Sequence, residues 1–254
     1  MSTFPDKFRL DGRTALVTGS ARGLGWEMAR ALGEAGARVL LHGRSPARLA
    51  PRLDELRAAG RACDGVVFDM ADRAAMAAAV ATAGPVDILV HNVGERDRRA
   101  FVEIAPDEFA RLVDTDLSAA QALIRLLVPG MVERGWGRLI MVTSIAAELA
   151  TAGASSYIAA KAGLAALARA LAAEFAAAGV TSNAISPGFF ATETNATLIA
   201  SPAGERMRRR CPAGRWAEPW EIAGAAVFLA SPAAAYVNDH TLTVDGGVAA
   251  TYLG

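Results

Sequence analysis

What most constrains the fold of this chain is an alternation of short apolar runs with amphipathic stretches. The runs are "TALVTG" from Thr14, "ARVLLHG" from Ala37, "CDGVVFDM" from Cys63, "VDILVHNVG" from Val86, "GRLIMVTS" from Gly137 and "VTSNAISPG" from Val180. Each reads as a buried strand. Between them, "WEMARALGEAG" and "PARLAPRLDELRAAG" repeat their apolar residues at spacings of three and four, the period of a helix. Strand then helix, repeated, means a parallel sheet covered on both faces, so the expected fold class is α/β and doubly wound. No Pro/Gly/Ser-rich linker or internal repeat interrupts the series, and a single domain over 1–254 is expected.

Composition narrows the partners. The 254 residues carry 26 basic and 26 acidic side chains, and this zero net charge gives no electrostatic footprint for nucleic acid or an anionic membrane. The run "RMRRR" from Arg206 is short and lacks interleaved aromatics. The start, "MSTFPDKFRLDGR", is charged without an apolar core, and no apolar run reaches membrane-spanning length, so no membrane association is expected. Cys63 and Cys211 lie far apart without metal-ligand spacing. They read as small core or surface residues in a reducing cytoplasm, with no metal expected.

Directly after the first run comes "TGSARGLG", where Gly19, Gly23 and Gly25 open the first helix, with Ser20, Arg22 and Leu24 between them. Glycine here lets the main chain approach a pyrophosphate, and the amides of a helix N-terminus suit phosphate. The spacing G-x3-G-x-G differs from the commoner G-x-G-x-x-G, and a tight turn without a ligand is the bland alternative. The end of the second run decides which nicotinamide cofactor fits. An acid there would bind the adenosine ribose of NAD, but "LLHGRS" has Gly43 and then Arg44. NADP is therefore expected, with Arg44 and Arg22 pairing its 2′-phosphate; exposed solvated side chains are the alternative for both.

In "SSYIAAKAG", Tyr157 and Lys161 stand four residues apart, on one face of a helix. A phenol titrates near pH 10, and an adjacent ammonium favours the phenolate. Ser144 ends the preceding strand, where α/β sheets place ligand-binding groups. Together the three make a site for proton transfer beside a nicotinamide, as carbonyl reduction or alcohol oxidation requires.

These motifs in order, with "HNVG", "NAISPGFFAT" and "YVNDHTLTVDGG", resemble those of the short-chain dehydrogenase/reductases over essentially the whole chain. The resemblance implies a Rossmann-type sheet of about seven strands. It implies Tyr157 as general acid/base, Lys161 lowering its pKa and holding the nicotinamide ribose, and Ser144 orienting the carbonyl. It also implies that Asp69 with Met70 borders the adenine, that Asn92, Val93 and Gly94 lie beside the cofactor, and that Pro187, Gly188 and Thr192 line the nicotinamide. A homotetramer is implied, with the long helix of "APDEFARLVDTDLSAAQALIRLLVPGMVER" and the Tyr157 helix at one interface. Three positions depart from the family's pattern, Asp116, His91 and Val93, the last standing where an alanine is usual. Asp116 stands where an asparagine supports a proton-relaying water; intact catalysis with an altered pH profile, a slower enzyme, or a cofactor-binding protein with impaired catalysis follow as alternatives. His91 replaces an asparagine and reads as a partly buried ring bonded to backbone.

Within the family, "LLHGRSPARL", Arg98, "AELA" from Ala147 and "PAGRWAEPWEIAGAAVFLAS" are similar to the gluconate 5-dehydrogenases, which interconvert gluconate and 5-ketogluconate with NADP. Arg98 and Glu148 are then candidates to bind a carboxylate and sugar hydroxyls, against a solvated mixed-charge loop for "ERDRR". The segment 189–216 is long and irregular enough for a lid. Phe189 and Phe190 argue for an apolar wall, which keeps a less polar ketone as the competing substrate.

Overall fold

The computed structural model describes residues 3–251; residues 1–2 and 252–254, the ends of the expected 1–254 unit, lie outside the described residues. All six apolar runs form strands: β1 (Thr14–Val17), β2 (Arg38–Gly43), β3 (Cys63–Val67), β4 (Ile88–His91), β5 (Gly137–Val142) and β6 (Val180–Pro187). A seventh, β7 (Thr241–Val244), completes one sheet in the order β3-β2-β1-β4-β5-β6-β7, with every pairing parallel. The order reverses between β1 and β4, which opens a crevice at the carboxyl ends of the strands.

Alternate residues of the strands enter two separate cores, because successive side chains point to opposite faces. Val17, Val39, Leu41, Val90 and Ile185 pack on one face under α1 (Gly23–Glu34), α2 (Pro46–Ala58) and α9 (Ala223–Ala230). Leu16, Leu40, Leu89, Leu139 and Ala184 pack on the other, under α3 (Arg73–Ala83), α5 (Ala119–Glu133) and α6 (Ser155–Phe175). The sheet is thus sealed on both sides, and polar chemistry is confined to its edges and ends.

Two segments differ from the sequence reading. The stretch expected as one long helix divides into α4 (Pro106–Val113), a π-helical turn (Asp114–Ser118) and α5. A π turn inserts a residue into the helix and redirects the side chains at that point, and Asp116 sits within it, buried. The expected irregular lid over 189–216 carries two short helices, α7 (Ala196–Ile199) and α8 (Pro202–Arg210). Its base is pinned by a parallel bridge, in which Ala217 N–H donates to Phe189 O and Ala191 N–H to Ala217 O, both at 2.8 Å. Among the described residues, no helix is long and apolar enough to cross a membrane.

Candidate active site

The glycine turn joins β1 to α1 and is held from two sides. Gly19 N–H donates to His42 Nδ1 at 3.1 Å, and Ser20 Oγ accepts from His42 N–H at 2.9 Å. Since Nδ1 accepts, the proton sits on Nε2, which donates to Phe68 O at 3.1 Å. Burial drives the His42 pKa down to about 4, against smaller upward effects of the Phe68 bond and Asp69. On the other side, Asn92 Nδ2 donates to Thr18 O (3.1 Å) and Gly19 O (3.4 Å). A Cβ on Gly25 would lie 2.5 Å from Asn92 Nδ2, so only glycine lets the turn close on β4.

Arg22 is the N-cap of α1, and its side chain bonds none of the first-turn amides. Those amides, at Gly23, Leu24 and Gly25, remain for an anion. Thr192 closes over them, its Cγ2 3.7 Å from where a Gly23 Cβ would stand. Arg22 is exposed, and so is Arg44, whose guanidinium lies 3.6 Å from the Asp69 carboxylate at the ends of β2 and β3. Met70 is buried in the core, and Val93 packs against that same core beside Asn92. A dinucleotide fits this cradle, with phosphates on α1 and a basic group at its adenosine end.

Farther along the carboxyl edge lies the proton-transfer cluster. Tyr157 and Lys161, one turn apart on α6, are both buried, as is Ser144 at the end of β5. Lys161 Nζ donates to Val142 O (3.1 Å) and Val93 O (3.2 Å), which fixes it beneath Gly94. A Cβ on Gly94 would come within 2.7 Å of that nitrogen. Burial alone pushes the Tyr157 phenol up, but the charges of Lys161 and Arg96 and the hydrogen bonds from Arg96 and Ser144 outweigh it, and its pKa is lowered. Arg96 Nη2 donates to Tyr157 Oη at 3.2 Å.

Behind Lys161, Asp116 accepts from Glu95 N–H through Oδ1 at 2.8 Å, while Oδ2 lies 4.0 Å from Lys161 Nζ with no hydrogen-bond partner. Burial raises the Asp116 pKa, opposed by the Lys161 charge and the Glu95 amide. His91 is wholly buried rather than partly so, with Nε2 donating to Asp116 O at 3.2 Å. Burial, reinforced by the Lys161 charge, lowers its pKa to about 3.

A cavity of about 410 Å³ opens over Ser144 and Tyr157. Arg96, Asp97 and Arg98 line one side, and Gly188, Phe189, Leu198, Met207 and Trp216 line another. Pro187 ends β6 just before Gly188. Glu148 is exposed and does not line the cavity. Arg96, Asn195, Met207 and Trp216 were not singled out from sequence; for Arg96 the only signal was the charged run "ERDRR", whose residues look alike until the loop is folded. A second groove of about 760 Å³ follows edge strand β3, but it contains an Arg38–Asp64 ion pair and none of these groups.

Comparison with known proteins agrees with this geometry. Residues 19–249 match the family model described as enoyl-(acyl carrier protein) reductase. Gluconate 5-dehydrogenase of Gluconobacter oxydans is 36% identical, over 96% of this chain and 97% of its own length. A crystal structure of a gluconate 5-dehydrogenase from Burkholderia cenocepacia, in complex with NADP and tartrate, superposes with a TM-score of 0.92 at 38% identity, covering 97% of this chain and 98% of that one. A 3-oxoacyl-[acyl-carrier-protein] reductase of Vibrio harveyi is 35% identical over 94% of this chain and 98% of its own. With its seven-stranded parallel sheet and glycine turn, the chain belongs to the short-chain dehydrogenase/reductase family and is an oxidoreductase.

Proposed function

We propose that the protein is an NADP-dependent oxidoreductase interconverting a secondary alcohol and a ketone on an acidic polyol, with gluconate and 5-ketogluconate as the pair. The observation that carries this reading is the charge of the cavity. Arg96 and Arg98 both line it, and neither forms an ion pair with any carboxylate among the described residues. The neighbouring Asp97 is engaged by Arg99. An acidic substrate would supply the missing partner, bidentate at a guanidinium. The relatives named for gluconate support the same substrate class.

Bound NADP(H) supplies or accepts the hydride. Tyr157 Oη carries the proton to or from the substrate oxygen, and Ser144 holds that oxygen. Lys161, fixed by two carbonyls, keeps the phenol acidic enough to act near neutral pH. Gly19, Ser20, Gly23, Leu24 and Gly25 form the phosphate cradle, with Asn92 and Val93 bracing it. Arg44 and Arg22 would receive the 2′-phosphate, Asp69 and Met70 would border the adenine, and Gly94, Pro187, Gly188 and Thr192 would hold the nicotinamide. The segment 189–216 acts as a lid that excludes water.

Phe189, Leu198, Met207 and Trp216 form a largely apolar wall, with the Phe189 and Trp216 rings 5.5 Å apart, which suits a less polar ketone. Reduction of 5-ketogluconate beside a neutral ketohexose separates the two: the acid is expected to show at least about tenfold higher kcat/KM. Equal values would discard the acid reading. A cytoplasmic location fits two free, buried thiols.

A further inference from the structure

Two arginines near this site are spent on carboxylates. Arg99 bridges Asp97 and Glu108, and Arg111 bonds Glu95 through both terminal nitrogens. Arg96 is different. The side-chain partner of its guanidinium is the Tyr157 hydroxyl at 3.2 Å, and its Cζ stands 4.8 Å from the centre of the Tyr157 ring. Lys161 approaches the same ring from within the protein, with Nζ 5.7 Å from its centre. Tyr157 therefore has two cations, one buried on its own helix and one from the loop after β4.

We propose that Arg96 is a second cation governing the proton on Tyr157, donating a hydrogen bond to the oxygen that reacts. A guanidinium only donates, so its bond to Tyr157 favours the phenolate and leaves the phenol proton free to face the substrate. Arg96 is exposed as a residue, so Coulombic attraction alone would be weakened by solvent; direct contact with the oxygen is what gives it influence. Its charge and its hydrogen bond both help to lower the Tyr157 pKa. Only one of its nitrogens is used, which leaves other donors for a substrate carboxylate.

The other groups around Tyr157 do not duplicate this role: Arg98 lines the same cavity but makes no hydrogen bond to the phenol. Lys161 acts from α6, and Asp116 in the π turn stands behind it with opposite charge. His91 on β4 is held neutral by burial, while Asp97 and Glu95 are engaged by Arg99 and Arg111. Ser144 contributes an uncharged hydrogen bond, and the lid residues lining the cavity are uncharged.

The inference rests on Tyr157 being the proton carrier, and two readouts keep the ideas apart. Ultraviolet difference titration of phenolate in the full chain, with Tyr157→Phe subtracted, isolates this tyrosine from the other two. Arg96→Gln, in an exposed loop, is expected to raise the Tyr157 midpoint by about one pH unit; an unmoved midpoint overturns the proposal. The pH profile of kcat/KM for alcohol oxidation should move up by the same amount. A midpoint that moves while this profile stays fixed would leave Arg96 acting on Tyr157 but remove Tyr157 as the proton carrier.

Discussion

Asp116 shows how a single atom can change the chemistry of a site. In place of an amide, a carboxylate lies 4.0 Å from Lys161, with Oδ2 buried and unpartnered. When ionised it offsets the field that Lys161 exerts on Tyr157, the opposite of what Arg96 does. Asp116→Asn is therefore expected to shift the kcat/KM profile for oxidation to lower pH, by about half a unit. An unchanged profile would take Asp116 out of the charge balance. Tyr157, Lys161 and Ser144 were readable in sequence because two share a helix face and the third ends a strand. Arg96 was not, since loop residues have no period to say which of Arg96, Arg98 and Arg99 turns inward.

Among the elements, the glycine turn depends on a brace from β2. His42 links Gly19 N–H to Phe68 O, contacts 23 and 26 residues apart in sequence, so nothing local announced it. His42→Leu leaves that amide and carbonyl without partners, a cost of about 1–3 kcal/mol. Titration calorimetry is expected to show NADPH binding weakened by about tenfold; unaltered affinity would mean the turn holds its shape alone. The pH effect has a definite sign. The His42 pKa falls from an unfolded value of about 6.5 to about 4 when folded. The folded state thus binds fewer protons between those values, and stability is present above pH 6.5 and lost as pH falls towards 4. His91, lowered to about 3, acts in the same direction over a wider range. β7 carries no continuous apolar run: "TLTV" forms the last strand of the sheet and stays partly exposed, so half of it is polar. The helices α7 and α8 are short, and the charges of "ERMRRR" hide the period of α8.

On the scale of the whole molecule, a parallel sheet covered on both sides follows from the sequence because the runs other than edge strand β3, which leaves Asp64, Gly65 and Val67 exposed, are buried on both faces. Assembly follows less directly. Leu126 and Val132 on α5 are exposed at 41% and 37%. A homotetramer through α5 and α6 is our proposal, and light scattering should give about four times the 26.3 kDa chain mass; a monomer mass would refute it. The most direct test of the catalytic reading is NADPH consumption with 5-ketogluconate, run beside NADH and with Tyr157→Phe. Turnover that prefers NADPH and falls at least about a hundredfold in Tyr157→Phe is the expected result. Undiminished turnover in that variant would contradict Tyr157 as the proton carrier, and no turnover by the unaltered protein would contradict the substrate.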